Sequence, residues 1–170
     1  IGVSNFNVSQ MKRAQSIYPI ASLQPPYSML KRDIEEDILS FCNQNSIGVV
    51  VYSPMQKGLL TGKMTRERIA SFPADDHRRN DPEFNEPLIS YNLEFVNQLI
   101  PIAKKHNKTL AQLAIAWALR RPEVTSAIAG ARHPDQIAET VLAGDWTLPQ
   151  EDIDNIEKLF REHKQKIMNK

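Results

Sequence analysis

The sequence contains a single cysteine, no long apolar run and almost no excess of either charge. One cysteine, Cys42, excludes an internal disulfide bond and favours a reducing compartment, so we predict a cytoplasmic protein. The histidine and cysteine residues lack the spacing of zinc ligands, and we predict no metal site. The apolar runs are far shorter than the roughly 18 residues of a membrane helix, so we predict no membrane segment.

The charges are nearly balanced, with 21 Lys and Arg residues against 20 Asp and Glu residues. This balance gives no broad basic field that would attract nucleic acid or an anionic membrane. We therefore expect the partner to be a small molecule or another protein. At 170 residues, 41% of them hydrophobic, the chain is long enough for one globular domain with a sizeable core.

Short strand-like runs alternate with helical patterns along the chain. The repeating unit of strand, loop and helix predicts an α/β fold with a parallel sheet. The predicted strands are Ile1–Ser4, Ile20–Leu23, Gly48–Tyr52 and Thr125–Ala129. A strand at the first residue favours a chain cut inside a larger domain, although a natural edge strand would look the same.

The third predicted strand leads into the most informative stretch. Gly48–Tyr52 is an apolar run typical of a strand buried on both faces, and Pro54 must end it because proline cannot donate to a sheet. The loop that follows lies at the carboxyl end of a strand, where ligands bind in α/β folds. Tyr52, Ser53 and Lys63 supply a flat ring, a hydroxyl and a cation there. An ordinary strand and turn would explain the same residues, because the loop glycines do not form a phosphate-binding fingerprint.

Residues 64–90 show no regular period and contain three prolines, so we predict a long loop. A loop of this length is commonly a lid or a binding loop, or else it is disordered. If it folds over a site, Arg78 is the residue best able to bind an anion. Otherwise its charges form a solvated face.

Helix signals are clear elsewhere in the chain. Thr109 and Gln112 form a capping box for a helix over Leu110–Leu119. Pro101 is expected to kink the preceding helix or to end an early turn. An acidic first turn and the spacing of the apolar residues predict a further helix from Ile34 to about Asn45.

Polar residues recur at helical spacing after the last predicted strand. Arg132, Gln136 and Thr140 are four residues apart and share one side of a helix that begins near Pro134. The free N–H groups at that helix entrance predict an anion site.

Motifs in four places together resemble the aldo-keto reductase family, in the order and at the spacing of that family. They are Gly2-Val-Ser-Asn-Phe6, Leu23-Gln24, Tyr52-Ser-Pro-Met-x-x-Gly-Leu-Leu-Thr-Gly-Lys63, and Gly130-Ala-Arg132 with Gln136, Glu139 and Thr140. The match extends over nearly the whole chain. Within the family the chain looks most like the branch of bacterial stress-type reductases and potassium-channel β subunits.

The resemblance implies a (β/α)8 TIM barrel, of which this chain is the C-terminal half, with about four β/α units and a C-terminal helix. It also implies an NADP-dependent oxidoreductase that reduces aldehydes or ketones to alcohols. The corresponding partial domain covers residues 1–170 and includes the long loop at 64–90. A half barrel leaves two open strand edges, and we expect association with another chain through them.

The family's cofactor-binding positions can be carried over to matching residues. Those that would hold the nicotinamide carboxamide are Ser4, Asn5 and Gln24. Tyr52 would stack on the nicotinamide ring. Those that would line the pyrophosphate are Ser53, Pro54, Met55, Gly58, Leu59 and Lys63. Arg132, close to Gly130, would pair with the 2′-phosphate and favour NADP over NAD. Those around the ribose and adenine would be Gln136, Glu139 and Thr140.

Catalytic residues are not carried over. The family's tetrad of Asp, Tyr, Lys and His lies in the first half of its barrel, so we predict no catalytic residue within residues 1–170. Tyr18, Tyr27 and Tyr91 do not match the motif of the family's tyrosine. The alternative function is therefore a non-catalytic module that binds a nucleotide or regulates another protein. The resemblance does not specify the carbonyl substrate.

Overall fold

The computed structural model describes residues 1–169 and contains a parallel sheet of four strands in the order β1-β2-β3-β4. The strands are β1 (Gly2–Ser4), β2 (Ser22–Gln24), β3 (Gly48–Tyr52) and β4 (Val124–Ile128). Helices connect each strand to the next, as parallel pairing requires. Consecutive β/α units in this order form half of an eight-stranded barrel, which confirms the predicted fold class.

The helices pack around this sheet. They are α1 (Val8–Gln15), α2 (Ile38–Gln44), α3 (Arg66–Ala70), α4 (Leu88–Lys105), α5 (Leu110–Leu119), α6 (Pro134–Val141) and α7 (Gln150–Met168). Capping boxes begin α1, from Asn7 and Gln10, and α5, from Thr109 and Gln112. The predicted start of α5 is thus confirmed. No helix within residues 1–169 is long and apolar enough to cross a membrane.

The main core lies between the sheet and its helices. Leu23, Val49 and Val51 are fully buried, together with Trp117 of α5. Because strand side chains alternate between faces, Tyr52 at the end of β3 is only partly buried. The core therefore fixes β3 firmly and leaves the Tyr52 ring available on the other face of the sheet.

Several predicted boundaries differ from the structure. The first strand begins one residue later than predicted, and the fourth lies one residue earlier. The second strand lies at Ser22–Gln24 instead of 20–23, and Gln24 is therefore its last residue. The helix predicted over 34–45 is divided, because Asp37 has a φ of −143°, outside the helical range. Pro101 does not end α4, which continues to Lys105. Buried side chains on both sides of Pro101 pack into the core and offset the one lost hydrogen bond.

Residues 64–90 contain more regular structure than the sequence predicts. After α3 come two 3₁₀ turns, His77–Asn80 and Pro82–Phe84. The rings of Phe72 and Phe84 lie 6.2 Å apart at their centroids. The other buried members of this small apolar cluster are Leu59, Met64 and Ile89. The segment therefore has its own core, which holds it beside the carboxyl end of β3.

The edge strands of the described sheet are β1 and β4. Exposed large apolar side chains occur in both terminal units of the sheet. They are Ile1, Ile17 and Tyr18 in the first unit and Ile128, Ile137 and Val141 in the last. The association through open edges that the sequence predicts stays a prediction.

Arg32 connects the C-terminal helix to the rest of the fold. Its guanidinium carbon lies 4.5 Å from the ring centroid of Trp117 and 3.8 Å from that of Phe160 in α7. Its Nη1 donates to Glu157, also in α7, at 2.6 Å. The Arg32 side chain is only 10% exposed, so solvent screens its charge weakly. These contacts hold α7 against α5.

Replacing Arg32 with alanine is expected to lower the free energy of unfolding by roughly 2–4 kcal/mol, because it removes two cation–π contacts and a charged hydrogen bond. Lys31→Ala is the matched control, since its ion pair with Asp33 is exposed and worth less than about 1 kcal/mol. Urea unfolding followed by circular dichroism measures both. Similar losses in the two variants would contradict the role given to Arg32.

His163 is a buried titratable group where α7 packs on α4. Its ring stacks on Phe95, with the centroids 5.1 Å apart and the planes at 18°. Burial lowers the pKa of His163; the nearby Glu94 carboxylate raises it and the Lys166 ammonium lowers it by smaller amounts. Its Nδ1 has no hydrogen-bond partner among residues 1–169. The folded protein therefore favours the neutral imidazole.

This burial makes stability depend on pH. Because the pKa of His163 is lower in the folded state, its contribution is fully present above the unfolded pKa of about 6.5 and is lost as the pH falls below it. We expect His163→Leu to lose less stability than the wild type on acidification through this range. The control is His77→Leu, at a side chain that is 74% exposed. Unfolding curves across pH test this, and an unchanged slope in His163→Leu would contradict it.

Candidate functional site

A cleft of about 590 Å³ opens at the carboxyl ends of β3 and β4. Its walls come from the loop after β3, from the first part of residues 64–90, and from the loop and helix after β4. The predicted site residues that line it are Tyr52, Ser53, Pro54, Met55, Gly58, Lys63, Arg78, Gly130, Arg132, Gln136, Glu139 and Thr140. Segments far apart in the sequence thus converge on one site.

The loop after β3 has an unusual backbone. Ser53, Gln56 and Lys57 have φ values of 56°, 45° and 53°, in the left-handed region that residues with a side chain rarely adopt. Gly62 has a φ of 72°, and a Cβ there would lie 2.7 Å from a Leu110 side-chain carbon. The loop therefore folds back tightly and approaches the start of α5 closely. Strained backbone of this kind is frequent at binding sites.

Leu59 differs from the other carried-over pyrophosphate residues, because it is not among the residues that line the cleft. Its side chain is fully buried and packs in the small cluster with Phe72 and Phe84. The tight turn before it points Leu59 inward. Its side chain therefore anchors the loop in the small apolar cluster.

Ser4, Asn5 and Gln24 lie beside the cleft at the ends of the neighbouring strands. The Tyr52 hydroxyl donates to Asn5 Oδ1 at 3.2 Å. The Ser4 hydroxyl donates to the Gln24 carbonyl at 2.8 Å, and the Asn5 N–H donates to the same carbonyl at 3.2 Å. The structure thus brings these residues together with Tyr52 at one corner of the site.

Five cationic side chains line the cleft, and two of them are already paired. They are Lys57, Lys63, Arg68, Arg78 and Arg132. Lys57 bonds Asp81 at 2.6 Å. Arg78 donates to both oxygens of Asp76, at 2.9 and 2.6 Å, and this contact lowers the pKa of Asp76. Arg78 is therefore committed to its own segment rather than free for an anion.

Arg132 and Lys63 are in a different electrostatic situation. Both are exposed, and within residues 1–169 neither pairs with a carboxylate. Both line the cleft, Lys63 from the loop after β3 and Arg132 from the loop after β4. An anion in the cleft can therefore bind either cation without breaking an existing ion pair.

The entrance of α6 is closed by its own side chains. The Arg132 and His133 N–H groups donate to Gln136 Oε1 at 2.7 and 3.3 Å. The Thr140 hydroxyl donates to the Gln136 carbonyl at 2.7 Å. The prediction that Arg132, Gln136 and Thr140 lie on one side of this helix and its entrance is thus confirmed. The N–H groups of Arg132 and His133 are therefore not free, whereas the sequence predicts free N–H groups at this entrance, and the anion site there stays a prediction.

Some lining residues were missed by the sequence reasoning. They are Lys57, Thr61, Met64, Arg68, Ala111, Ile128 and Ala131. Lys57 and Thr61 belong to the recognised loop and could have been included by position alone. Ala111 comes from α5, whose Ala-rich sequence indicates only tight packing.

Tyr27 is a tyrosine with two side-chain partners inside the fold. The Tyr27 hydroxyl bonds Glu35 and accepts from Arg120 at 2.8 Å, and burial raises the pKa of Tyr27. This tyrosine is therefore poorly suited to donate a proton. Within residues 1–169 no group of three His, Cys, Asp or Glu side chains is arranged to hold a metal ion.

Comparison with known proteins identifies the family. A family model described as Aldo/keto reductase family matches residues 1–161. The chain belongs to this family. Its sequence is 39% identical to the aldo-keto reductase YhdN of Bacillus subtilis, over 94% of this chain and 48% of that protein. It is 30% identical to an Escherichia coli protein named NADH-specific methylglyoxal reductase, over 89% of this chain and 45% of that protein.

The structure of this aldo-keto reductase chain gives the same result. A glycerol dehydrogenase from Gluconobacter oxydans matches it with a TM-score of 0.87 and 34% identity, covering 95% of this chain and 49% of that chain. The chain thus spans about half the length of the relatives it matches. Members of the family are oxidoreductases of carbonyl compounds that use nicotinamide cofactors.

Proposed function

We propose that this chain binds NADP(H) and forms the cofactor-binding part of a reductase that converts aldehydes or ketones to alcohols. The observation that carries the proposal is one cleft lined by Tyr52, by Arg132 and by the exposed cation Lys63. A dinucleotide suits such a cleft, because it has a flat ring at one end and phosphates along its length. A reducing, cytoplasmic location is part of the proposal and is supported by the buried thiol of Cys42.

The nicotinamide end of the proposed site is the corner around Tyr52. The Tyr52 ring offers a flat surface, and the Asn5 and Gln24 side chains offer carboxamide donors and acceptors. The hydrogen bond from the Tyr52 hydroxyl to Asn5 orients that amide. Bound NADPH would supply a hydride, and these residues would determine which ring face meets the substrate.

The phosphate end is formed by Lys63, Arg132 and the backbone of residues 53–58. A guanidinium group can donate two parallel hydrogen bonds to a phosphate. Because Arg132 is exposed and has no carboxylate partner within residues 1–169, it is available to a 2′-phosphate. One relative is named NADH-specific, so the preference for NADP rests on this arginine rather than on the family.

Reduction of a carbonyl also requires a proton donor at the carbonyl oxygen. Tyr27 is bonded to Glu35 and Arg120 and cannot approach the cleft without breaking those bonds. We propose that the donor comes from the complementary half of a barrel, which would pair with the edge strands β1 and β4. That half would also complete the wall of the substrate site.

The cofactor preference can be tested at Arg132. In a complete barrel, made by joining this chain to the amino-terminal half of the B. subtilis relative, Arg132→Ala is expected to weaken NADPH binding by roughly 1.5–3 kcal/mol, since a charged hydrogen-bond donor is lost. NADH binding should change little. Arg13→Ala, in α1 and outside the cleft, is the control. Fluorescence titrations measure all affinities, and equal losses for the two nucleotides would contradict the assignment.

The proposed reaction can be tested with the same complete barrel. We expect it to oxidise NADPH in the presence of small aldehydes, whereas residues 1–170 alone should not, because general acid catalysis contributes about 10²–10⁴-fold. Absorbance of NADPH follows the reaction. A folded complete barrel that binds NADPH and reduces no aldehyde or ketone would favour the regulatory module. Equal turnover by the chain alone would place the proton donor within residues 1–170.

A further inference from the structure

Gln112 links two helices beside the cleft. It lies in the first turn of α5 and is only 5% exposed. Its Oε1 accepts the Thr109 N–H at 3.0 Å, and its own N–H donates to the Thr109 hydroxyl at 3.2 Å. Because the cap occupies the oxygen end of the amide, the nitrogen end points away from α5. That Nε2 donates to the Glu139 carbonyl of α6 at 2.8 Å.

The Glu139 carbonyl needs a partner from outside its helix. It is one of the last four carbonyls of α6, which cannot be paired by N–H groups further along the same helix. Moreover, α6 has no buried residue, and its apolar side chains Ile137 and Val141 are 59% and 63% exposed. Within residues 1–169, side-chain burial therefore contributes little to holding α6, and the bond from Gln112 provides a directional link.

The linked helix carries the proposed phosphate end of the cleft. Arg132 lies at the entrance of α6, and its N–H is bonded to Gln136 within the helix. Ala111, next to Gln112, lines the same cleft. A shift of α6 relative to α5 would therefore move Arg132 relative to the loop after β3.

We infer that Gln112 is a positioning residue, whose amide nitrogen fixes α6 on α5 and thereby places Arg132 for the cofactor's 2′-phosphate. The cofactor part of this inference rests on the proposed function. The helix cap alone does not require an amide, because Glu serves equally well at this position of a capping box. A carboxylate, however, has no hydrogen to donate to the Glu139 carbonyl.

The test is Gln112→Glu, which keeps the cap of α5 and removes the donor to α6. Gln10→Glu is the matched control, because Gln10 occupies the same position of the α1 capping box and is exposed. Both variants are made in the complete barrel described above. We expect hydrogen exchange over residues 134–141 to become about tenfold faster in Gln112→Glu, with exchange over residues 110–119 unchanged. Gln10→Glu should leave both segments unchanged.

Nucleotide binding gives the second readout. The dissociation constant for NADPH should rise about tenfold in Gln112→Glu, and that for NADH less than about threefold, because only the 2′-phosphate end is displaced. A general loss of structure would weaken the binding of NADPH and of NADH alike, and that result would overturn the inference. The inference would also be overturned if hydrogen exchange over residues 134–141 were equally fast in Gln112→Glu and in Gln10→Glu.

The outcomes separate this inference from the proposed function. If Arg132→Ala selectively weakens NADPH binding and Gln112→Glu does not, the proposed function stands and the role of Gln112 is wrong. If the unsubstituted protein does not prefer NADPH, the cofactor assignment and the placing of Arg132 for it both fail. In that case hydrogen exchange still decides whether Gln112 holds α6 on α5.

Discussion

The end of β3 at Tyr52 is the constraint on which the rest of the site depends. The Tyr52 N–H donates to the Pro25 carbonyl at 3.0 Å, its carbonyl accepts the Tyr27 N–H at 3.1 Å, and its hydroxyl reaches Asn5 at 3.2 Å. A single residue therefore ties together the ends of three strands. Pro54 then takes the chain out of the sheet, so that the cleft begins where strand pairing stops.

The parts of the site that sequence could predict are those set by local rules. The Thr109 and Gln112 capping box depends on residues three apart, and it occurs where the pattern places it. The common side of Arg132, Gln136 and Thr140 follows from helical spacing and is also observed. The motifs that resemble the family added what periodicity could not, because they identified which loops carry the cleft.

The features that sequence could not predict depend on contacts between distant segments. Leu59 lies in a motif of the cleft loop, yet it is buried because Phe72 and Phe84 pack around it. Pro101 is tolerated because its helix neighbours are held in the core. The amide of Gln136 folds back on the entrance of α6, and spacing alone does not show whether such a side chain caps a helix or leaves its N–H groups to a ligand.

Because α6 has no buried residue, its amino-acid sequence is weakly constrained by packing. Substitutions in a helix with no buried residue disturb no core packing, and surface substitutions of this kind usually alter stability by less than about 0.5 kcal/mol. Exposed positions of α6 can therefore change at little cost to the packing within residues 1–169. Side chains around Arg132 can thus be exchanged while the packing of the four strands stays the same.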